Sequence, residues 1–256
     1  DYRRLNEATE PDRYPVPNIQ DFTANLAGAT IFSKIDLIKG YHQVPVRAED
    51  VCKTAVITPF GMFEFLRVPF GLKNAAQMFQ RLMDTTLRGL DFVFVYLDDI
   101  LIASRSRHEH LEHIRRVLER LQQSGLSINL AKCEFGRQEV EFLGHRVNKH
   151  GVTPLPSKVE AIKAFNKPNT VQGLQEFVGM VNFYHRFVPA AAGIMRPLYQ
   201  ALAGKPRELR WTTEMDIAFE ESKSALASAT LLVHPSVDAP TALTVDASDI
   251  AIGGVL

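Results

Sequence analysis

Phe92-Val93-Phe94-Val95-Tyr96-Leu97 and Ile100-Leu101-Ile102-Ala103 are two apolar, β-branched and aromatic runs separated only by Asp98-Asp99. Runs of this kind predict two buried strands meeting in a tight hairpin. Upstream, Thr30 to Leu37 alternates, with Ile31, Ser33 and Ile35 on one side and Phe32, Lys34 and Asp36 on the other, which predicts a strand. Val51 to Val68 reads as a hairpin turning at Pro59-Phe60-Gly61. A helix capped by Asn74 follows, with Ala75, Met78, Phe79, Leu82 and Met83 on its inner face. Ser106 and Glu109 are spaced as a capping box before a helix with Leu111, Ile114, Leu118 and Leu121 inward, which Gly125 stops. Phe135 to Val147 predicts one more strand pair, broken near Gly136. This order predicts an antiparallel sheet with helices on one face, an α+β class.

Pro154-Leu155-Pro156 marks a boundary. Beyond it the pattern predicts a short helix over 157–166 with a second capping box, Ser157 and Glu160. Helices over 170–187 and 213–228 follow. Residues 243–246 read as a strand, and a second starts at Ile250. The aromatic stripe of Phe177, Phe183, Tyr184 and Phe187 reads as core rather than as a nucleic-acid platform.

The chain has 256 residues, 46% of them hydrophobic, so it has enough apolar surface for a large core and more than one subdomain. Lysine plus arginine and aspartate plus glutamate number 29 each, a balance that neither supports nor excludes a nucleic-acid partner. Two distant cysteines, Cys52 and Cys133, form neither a disulfide framework nor a zinc site, which fits a reducing intracellular compartment. No apolar stretch approaches the length of a membrane span. Neither end has the pattern of a natural terminus, and both read as cuts from a longer polypeptide.

Asp is a good turn residue, so Asp98-Asp99 in a hairpin has a plain reading. Carboxylates wedged between buried strands are nevertheless costly to desolvate and call for a cation, best a hard, oxygen-liganded Mg²⁺. If the 30–37 strand pairs beside the hairpin, Asp36 and Asp98 converge at one sheet edge. Carboxylates bridging two metals are a standard arrangement for in-line attack at phosphorus.

Five segments then occur in order: Asp1-Tyr2-Arg3-Arg4-Leu5-Asn6; Phe32-Ser33-Lys34-Ile35-Asp36-Leu37 with Gly40-Tyr41-His42-Gln43; Pro69-Phe70-Gly71-Leu72-Lys73-Asn74-Ala75; Tyr96-Leu97-Asp98-Asp99; and Phe142-Leu143-Gly144-His145. Together they resemble the reverse transcriptase of LTR retroelements, most closely the gypsy class, over essentially the whole chain. The resemblance implies a right-hand polymerase palm. Partial fingers would occupy 1–30, the palm with part of the fingers and the primer-grip hairpin 31–150, a thumb or connection 151–240, and the start of an RNase H-like domain 241–256. It implies that Asp36, Asp98 and Asp99 are the catalytic, metal-binding carboxylates, with Mg²⁺ or alternatively Mn²⁺. Tyr41 matches the aromatic gate under the incoming sugar, and Phe70 and Gly71 the pair lining the nucleotide. Lys73 resembles a phosphate or template contact, and Lys132 a lysine that protonates the leaving pyrophosphate. Phe142, Leu143, Gly144 and His145 match the hairpin that holds the primer terminus. Arg3 resembles a template-side residue, and Asp246 the first carboxylate of an RNase H site, without its partners.

The implied partners are an RNA or DNA template with its primer, dNTPs and the rest of a Pol polyprotein, with no membrane. The implied location is cytoplasmic, within a virus-like particle, or nuclear. Basic residues that grip the triphosphate would lie before Asp1, so the chain alone is expected to be a weak polymerase or none, and no RNase H activity is expected of it. Two other readings are a truncated or repurposed fragment that only binds nucleic acid or protein, and a nucleotide cyclase on the same palm. The Tyr96-Leu97 start of the tetrad speaks against a cyclase.

Overall fold

The computed structural model describes residues 1–18, 22–23, 26–204, 206–228, 231–234, 242, 244–247 and 252–255, the backbone alone at 246–247 and 252–255. Its centre is a four-stranded antiparallel sheet in the order β4-β5-β1-β6. These strands are β1 (Ile31–Asp36), β4 (Val93–Tyr96), β5 (Asp99–Ser104) and β6 (Glu134–Arg137). Between β1 and β4 lie the small hairpin of β2 (Val56–Thr58) and β3 (Gly61–Phe63) and helix α2 (Ala75–Thr86). Helix α3 (Arg107–Gln123) follows β5.

Strand side chains alternate between faces, and here both faces are covered. Ile35, Ile100 and Ile102 pack with Phe79 and Met83 of α2 and Val117 and Leu121 of α3. Phe32, Leu101 and Ala103 face the other way, onto Phe22, Leu26, Val140 and Phe142. The two helices therefore share one face as the pattern predicts. The opposite face meets a second sheet instead of water, which is why these strands read as unbroken apolar runs.

That second sheet consists of β7 (Glu139–Phe142), β8 (His145–Asn148) and β9 (Gly151–Pro154), all antiparallel. The expected strand pair over 135–147 is thus three strands from two sheets. β6 joins β1, and the chain then crosses at Gln138 into β7. Helix α4 (Pro156–Lys163), α5 (Val171–Phe183), α6 (Ala191–Leu202) and α7 (Thr213–Ala227) pack behind it. Phe177, Tyr184 and Phe187 are buried there, as the aromatic stripe predicts, but Phe183 of the same stripe is 40% exposed; Phe219 is also buried, and Trp211 Nε1 donates to the Pro168 carbonyl at 2.7 Å. The hairpin of β10 (Thr244–Ala247) and β11 (Ile252–Val255) follows.

Several local expectations are corrected. Asn74 does not cap α2; its amide accepts from Asp12 N and donates to the Glu10 carbonyl, pinning the N-terminal segment. Ser157 and Glu160 form no capping box, because α4 begins one residue earlier with Pro156 in its first turn and Glu160 pairs with Lys163. In α3 the Ser106 cap forms, but Glu109 reaches back to Arg105 N. Leu111 is 61% exposed, and the inner face runs through His110, Val117 and Leu121. Two helices escaped the sequence pattern: α1 (Arg3–Ala8), which buries nothing, and α6, which carries Pro197 inside it.

His110 turns inward because both ring nitrogens are satisfied. Nε2 meets Ser33 Oγ and Nδ1 meets Ser104 Oγ, each at 2.7 Å, and Ser104 Oγ also meets His113 Nδ1 at 2.8 Å. Gly136 N donates to Ser33 Oγ at 2.9 Å, which ties β6 into the same chain. Burial holds His110 below the ordinary imidazole value, with the neighbouring His113 adding to this and Glu109 opposing it. Burial likewise lowers His113 and His145. Groups depressed in the native state stay neutral while the unfolded chain takes up protons, so stability falls as pH drops below about 6.5. The urea midpoint should hold above pH 7 and decline between about pH 6.5 and pH 5.5, before carboxylates titrate. A midpoint constant over that window would contradict the network's reading.

Candidate active site

Asp36 ends β1 directly opposite Asp99, the first residue of β5. Tyr96 pairs with Asp99 across the β4–β5 hairpin, leaving Leu97-Asp98 as the turn. The sheet register therefore brings the three carboxylates to one edge. Asp36 lies beside Asp99 on the central strand pair, with Asp98 on the adjoining turn.

The turn is held by a residue that the sequence pattern did not single out. Gln80 of α2 is fully buried. Its Oε1 accepts from Leu97 N at 2.8 Å, and its Nε2 donates to the Val95 carbonyl at 3.2 Å and to Asp84 Oδ1 at 2.8 Å. Tyr14 in turn donates to Asp84 Oδ2 at 2.6 Å. The anchor matters because Leu97 has φ 54°, a left-handed conformation costing an L-residue roughly 1–2 kcal/mol. A polar residue beside Phe79 in an apolar helix face was the only sequence trace of this clamp.

Gly40 is closely enclosed. A Cβ there would lie 3.0 Å from Asp98 Cβ and 3.2 Å from Phe79 Cζ, so Asp98 rests directly over this glycine. Gly40 opens the 3₁₀ turn that carries Tyr41. The Tyr41 ring meets Phe79 and Phe70 edge-on, with centroids 5.4 and 5.9 Å away, and Phe70 also meets His42 at 4.7 Å. Burial and then the charge of Asp98 push the Tyr41 phenol upward. Phe70 itself is 63% exposed, an open apolar surface beside the carboxylates. Gly71 adopts φ 91° and its carbonyl accepts from Asn6 Nδ2 at 2.8 Å.

Burial raises the proton affinity of Asp99 most, with the charges of Asp98 and Asp36 adding to it and Lys34 and Lys132 opposing it. Lys34 lies on the same face of β1 as Asp36. Lys132 Nζ is 3.8 Å from Asp36 Oδ2 and largely exposed, so the pair itself contributes little to stability. The strand end is fixed behind these charges. Asn129 N donates to the Asp36 carbonyl at 2.8 Å, and Gln43 bridges Ile38 and Ser127. Among the described residues no three acid, imidazole or thiol groups already converge as a metal-binding set, so the carboxylates stand adjacent rather than closed around a point.

Other expected residues lie elsewhere. Lys73 Nζ donates to the carbonyls of Asn6 and Thr9 at 3.2 and 2.8 Å; it caps the C-terminus of α1 instead of facing the carboxylates. Arg3 is exposed and paired with Asp1. In the 142–145 hairpin, Phe142 and His145 are buried, and only the Leu143-Gly144 turn is part-exposed. Both turn residues have positive φ, at 45° and 77°. The side chain of Asp246 lies outside the described residues.

Residues 1–147 match the family described as reverse transcriptase (RNA-dependent DNA polymerase), and the chain belongs to that family. Residues 211–256 match an RNase H-like domain found in reverse transcriptase. Its relatives include the retrovirus-related Pol polyprotein from transposon 297 of Drosophila melanogaster, 41% identical over 100% of this chain and 24% of that polyprotein. The transposon Tf2-3 polyprotein of Schizosaccharomyces pombe is 37% identical, over 100% of this chain and 19% of its own length. The chain thus spans about a quarter or less of these relatives. Among solved structures, the foamy viral protease-reverse transcriptase in complex with double-stranded DNA superposes with TM-score 0.87 at 27% identity, covering 97% of this chain and 44% of that one. The same kind of protein in complex with an RNA/DNA hybrid gives 0.85 at 27% identity, covering 97% of this chain and 34% of that one.

Replacing Gln80 by Leu should strand the Leu97 N–H and the Val95 carbonyl in a buried turn. The expected loss is about 1–3 kcal/mol of unfolding free energy, read by urea titration. An unchanged midpoint would show that the turn holds itself.

Proposed function

We propose that this chain is the core of an RNA-directed DNA polymerase, transferring deoxynucleotides to a primer 3′-hydroxyl on an RNA or DNA template. The observation that carries the reading is the register that sets Asp36 against Asp99, with Asp98 on the adjoining turn beside Tyr41 and Phe70. Residues 31–150 would be the palm, with residues 1–30 contributing to fingers, 151–240 to a thumb or connection, and 241–256 to the start of an RNase H-like domain. The two free cysteines suit a reducing compartment.

The donor set fits a hard divalent cation. It consists of side-by-side carboxylates, with Asp99 raised first by burial and also by the charges of Asp98 and Asp36, against the opposing charges of Lys34 and Lys132. Asp36, Asp98 and Asp99 would hold Mg²⁺, with Mn²⁺ as an alternative. When bound, such a metal lowers the proton affinity of an attacking hydroxyl and neutralises charge on a leaving pyrophosphate. The remaining roles belong to the chain. Tyr41, braced by Phe79 and Phe70, would form the wall under the sugar and collide with a ribose 2′-hydroxyl. Phe70 offers an exposed ring for the nucleotide, and Gly71 keeps the backbone beside it clear. Lys132 Nζ, 3.8 Å from Asp36 Oδ2, is an ammonium from which the leaving group could take a proton. The Leu143-Gly144 turn would meet the primer. Lys73 has no part in this reading, since it caps α1.

Within a longer polyprotein chain that includes the segment preceding Asp1, Asp36→Asn and Asp98→Asn should each reduce templated dNTP incorporation to background while leaving circular dichroism unchanged. Gly40→Ala should lower the rate roughly a hundredfold by displacing Asp98, since small misplacements of reacting groups carry penalties of that order. Incorporation near the unsubstituted rate in either aspartate variant would end the assignment.

Sugar choice gives a separate test. Tyr41→Ala and Tyr41→Val should raise ribonucleotide use relative to deoxynucleotide use, because selectivity is a difference in transition-state binding and the wall has been removed. The measurement is the ratio of incorporation efficiencies for dNTP and rNTP. If neither variant moves that ratio, Tyr41 serves only to pack against Phe79.

A further inference from the structure

Helix α2 carries Gln80 and Asp84 four residues apart, on one face. Gln80 Nε2 donates to Asp84 Oδ1 at 2.8 Å, so the carboxylate decides which end of the amide faces it. That choice matters at the catalytic edge. With Nε2 toward Asp84, Oε1 accepts from Leu97 N, and the turn that carries Asp98 is held. A flipped amide would set Nε2 against the Leu97 N–H, donor against donor, and Oε1 against the Val95 carbonyl and the carboxylate. Of the three partners, Leu97 and Val95 belong to the hairpin and move with it. Asp84 belongs to α2 and refers the hairpin to the helix.

Asp84 is itself fixed from outside the helix. Tyr14 Oη donates to Asp84 Oδ2 at 2.6 Å, a charge-assisted bond to the oxygen that Gln80 leaves open. The hydrogen bond to Asp84 and then burial push the phenol above its ordinary value, so it stays a donor. The segment around Tyr14 is anchored without that hydroxyl. Arg81 Nη2 reaches both Asp12 carboxylate oxygens at 2.8 Å, and its guanidinium lies 4.7 Å over the Tyr14 ring. Tyr14 N donates to Asp12 Oδ1 at 2.9 Å, and Asp12 N to Asn74 Oδ1 at 3.0 Å. Removing the hydroxyl alone therefore leaves the ring in place and frees only the carboxylate.

We propose that Tyr14 is a positioning residue for nucleotidyl transfer: its hydroxyl orients Asp84, Asp84 orients the Gln80 amide, and the amide holds the Leu97-Asp98 turn in place; this rests on the polymerase reading above. In this arrangement Tyr14 meets no reacting group and acts through three hydrogen bonds in series. The turn needs such a hold because Leu97 adopts φ 54°, a left-handed conformation that a loosened turn would leave. Asp98 follows Leu97 directly, so a relaxed turn shifts one of the three carboxylates against the other two. A loss of this kind acts on the rate of the bound complex, and not on how tightly nucleotide or template–primer binds.

The test uses a longer polyprotein chain that includes the segment preceding Asp1. It compares the unsubstituted chain, Tyr14→Phe, Gln80→Leu and the double variant in single-turnover dNTP incorporation. Tyr14→Phe should lower the maximal rate roughly three- to thirtyfold, while the dNTP concentration at half-maximal rate and the template–primer affinity change by less than about twofold. In the Gln80→Leu background the same change should cost less than about twofold, because the amide through which it acts is gone. Amide hydrogen exchange gives a readout that needs no catalysis. The Leu97 N–H should exchange roughly threefold faster or more in Tyr14→Phe, with no further gain when Gln80 is already Leu. An unchanged maximal rate or an unchanged Leu97 exchange in Tyr14→Phe overturns the proposal. So do equal losses from Tyr14→Phe with and without Gln80. A weakened template–primer complex at an unchanged maximal rate would make Tyr14 a template contact, and the proposal falls. If the unsubstituted chain incorporates no dNTP, the polymerase reading fails and this inference with it.

Discussion

The antiparallel pairing of β1 with β5 is the constraint on which the rest of this molecule depends. It sets six residue pairs, from Ile31 opposite Ser104 to Asp36 opposite Asp99. A shift of one residue would exchange the two faces of β1, sending Phe32 toward the helices and Ile35 toward the second sheet. Because both faces are buried, such a slip has no acceptable alternative. The carboxylates therefore sit side by side because this register sets the last residue of β1 against the first residue of β5.

Around this edge, helix α2 has two tasks. Phe79 and Met83 fill the core beneath the sheet, while Gln80, one residue along, holds the hairpin turn from below. One helix thus couples packing to the position of Asp98. The same economy appears at Gly40, whose missing side chain admits both Asp98 and Phe79. Charges of both signs gather at this edge, with Lys132 3.8 Å from Asp36. Asp99 is raised chiefly by burial and further by its neighbours, and the nearest lysines counter only part of that.

The opposite face of the central sheet supports a different structure. Phe32 and Leu101 share one continuous core with Phe142, Phe177 and Phe219. The β7–β9 sheet and helices α4 to α7 are therefore packed onto the palm strands rather than hung from a linker. His110 ties the helical side into the same construction, since Ser33 and Ser104 belong to the two central strands and Gly136 to the third. Buried polar chains of this kind fix one arrangement of neighbours when every member is satisfied.

Much of this was legible in the residues themselves. The Asp98-Asp99 break between apolar runs, the alternation ending at Asp36, the 3.6-residue face of α2 and the aromatic stripe of α5 each carry a local period, and local periods survive in a linear sequence. Ordered motifs also sufficed to suggest a reverse transcriptase. What only the tertiary structure decided depends on partners far apart in the chain. Lys73 looks like a free cation in sequence, yet the carbonyls of Asn6 and Thr9, more than sixty residues earlier, occupy it. Asn74 has a capping residue's chemistry, but the loop at Glu10 to Asp12 claims its amide. Leu111 and His110 exchange inside and outside because two serines on different strands solvate an imidazole, a fact no helical period contains. Gln80 and Gly40 gain meaning only from what lies against them. Periodicity determines which face is buried; long-range contact determines which polar groups are spent on the fold and which remain for a ligand.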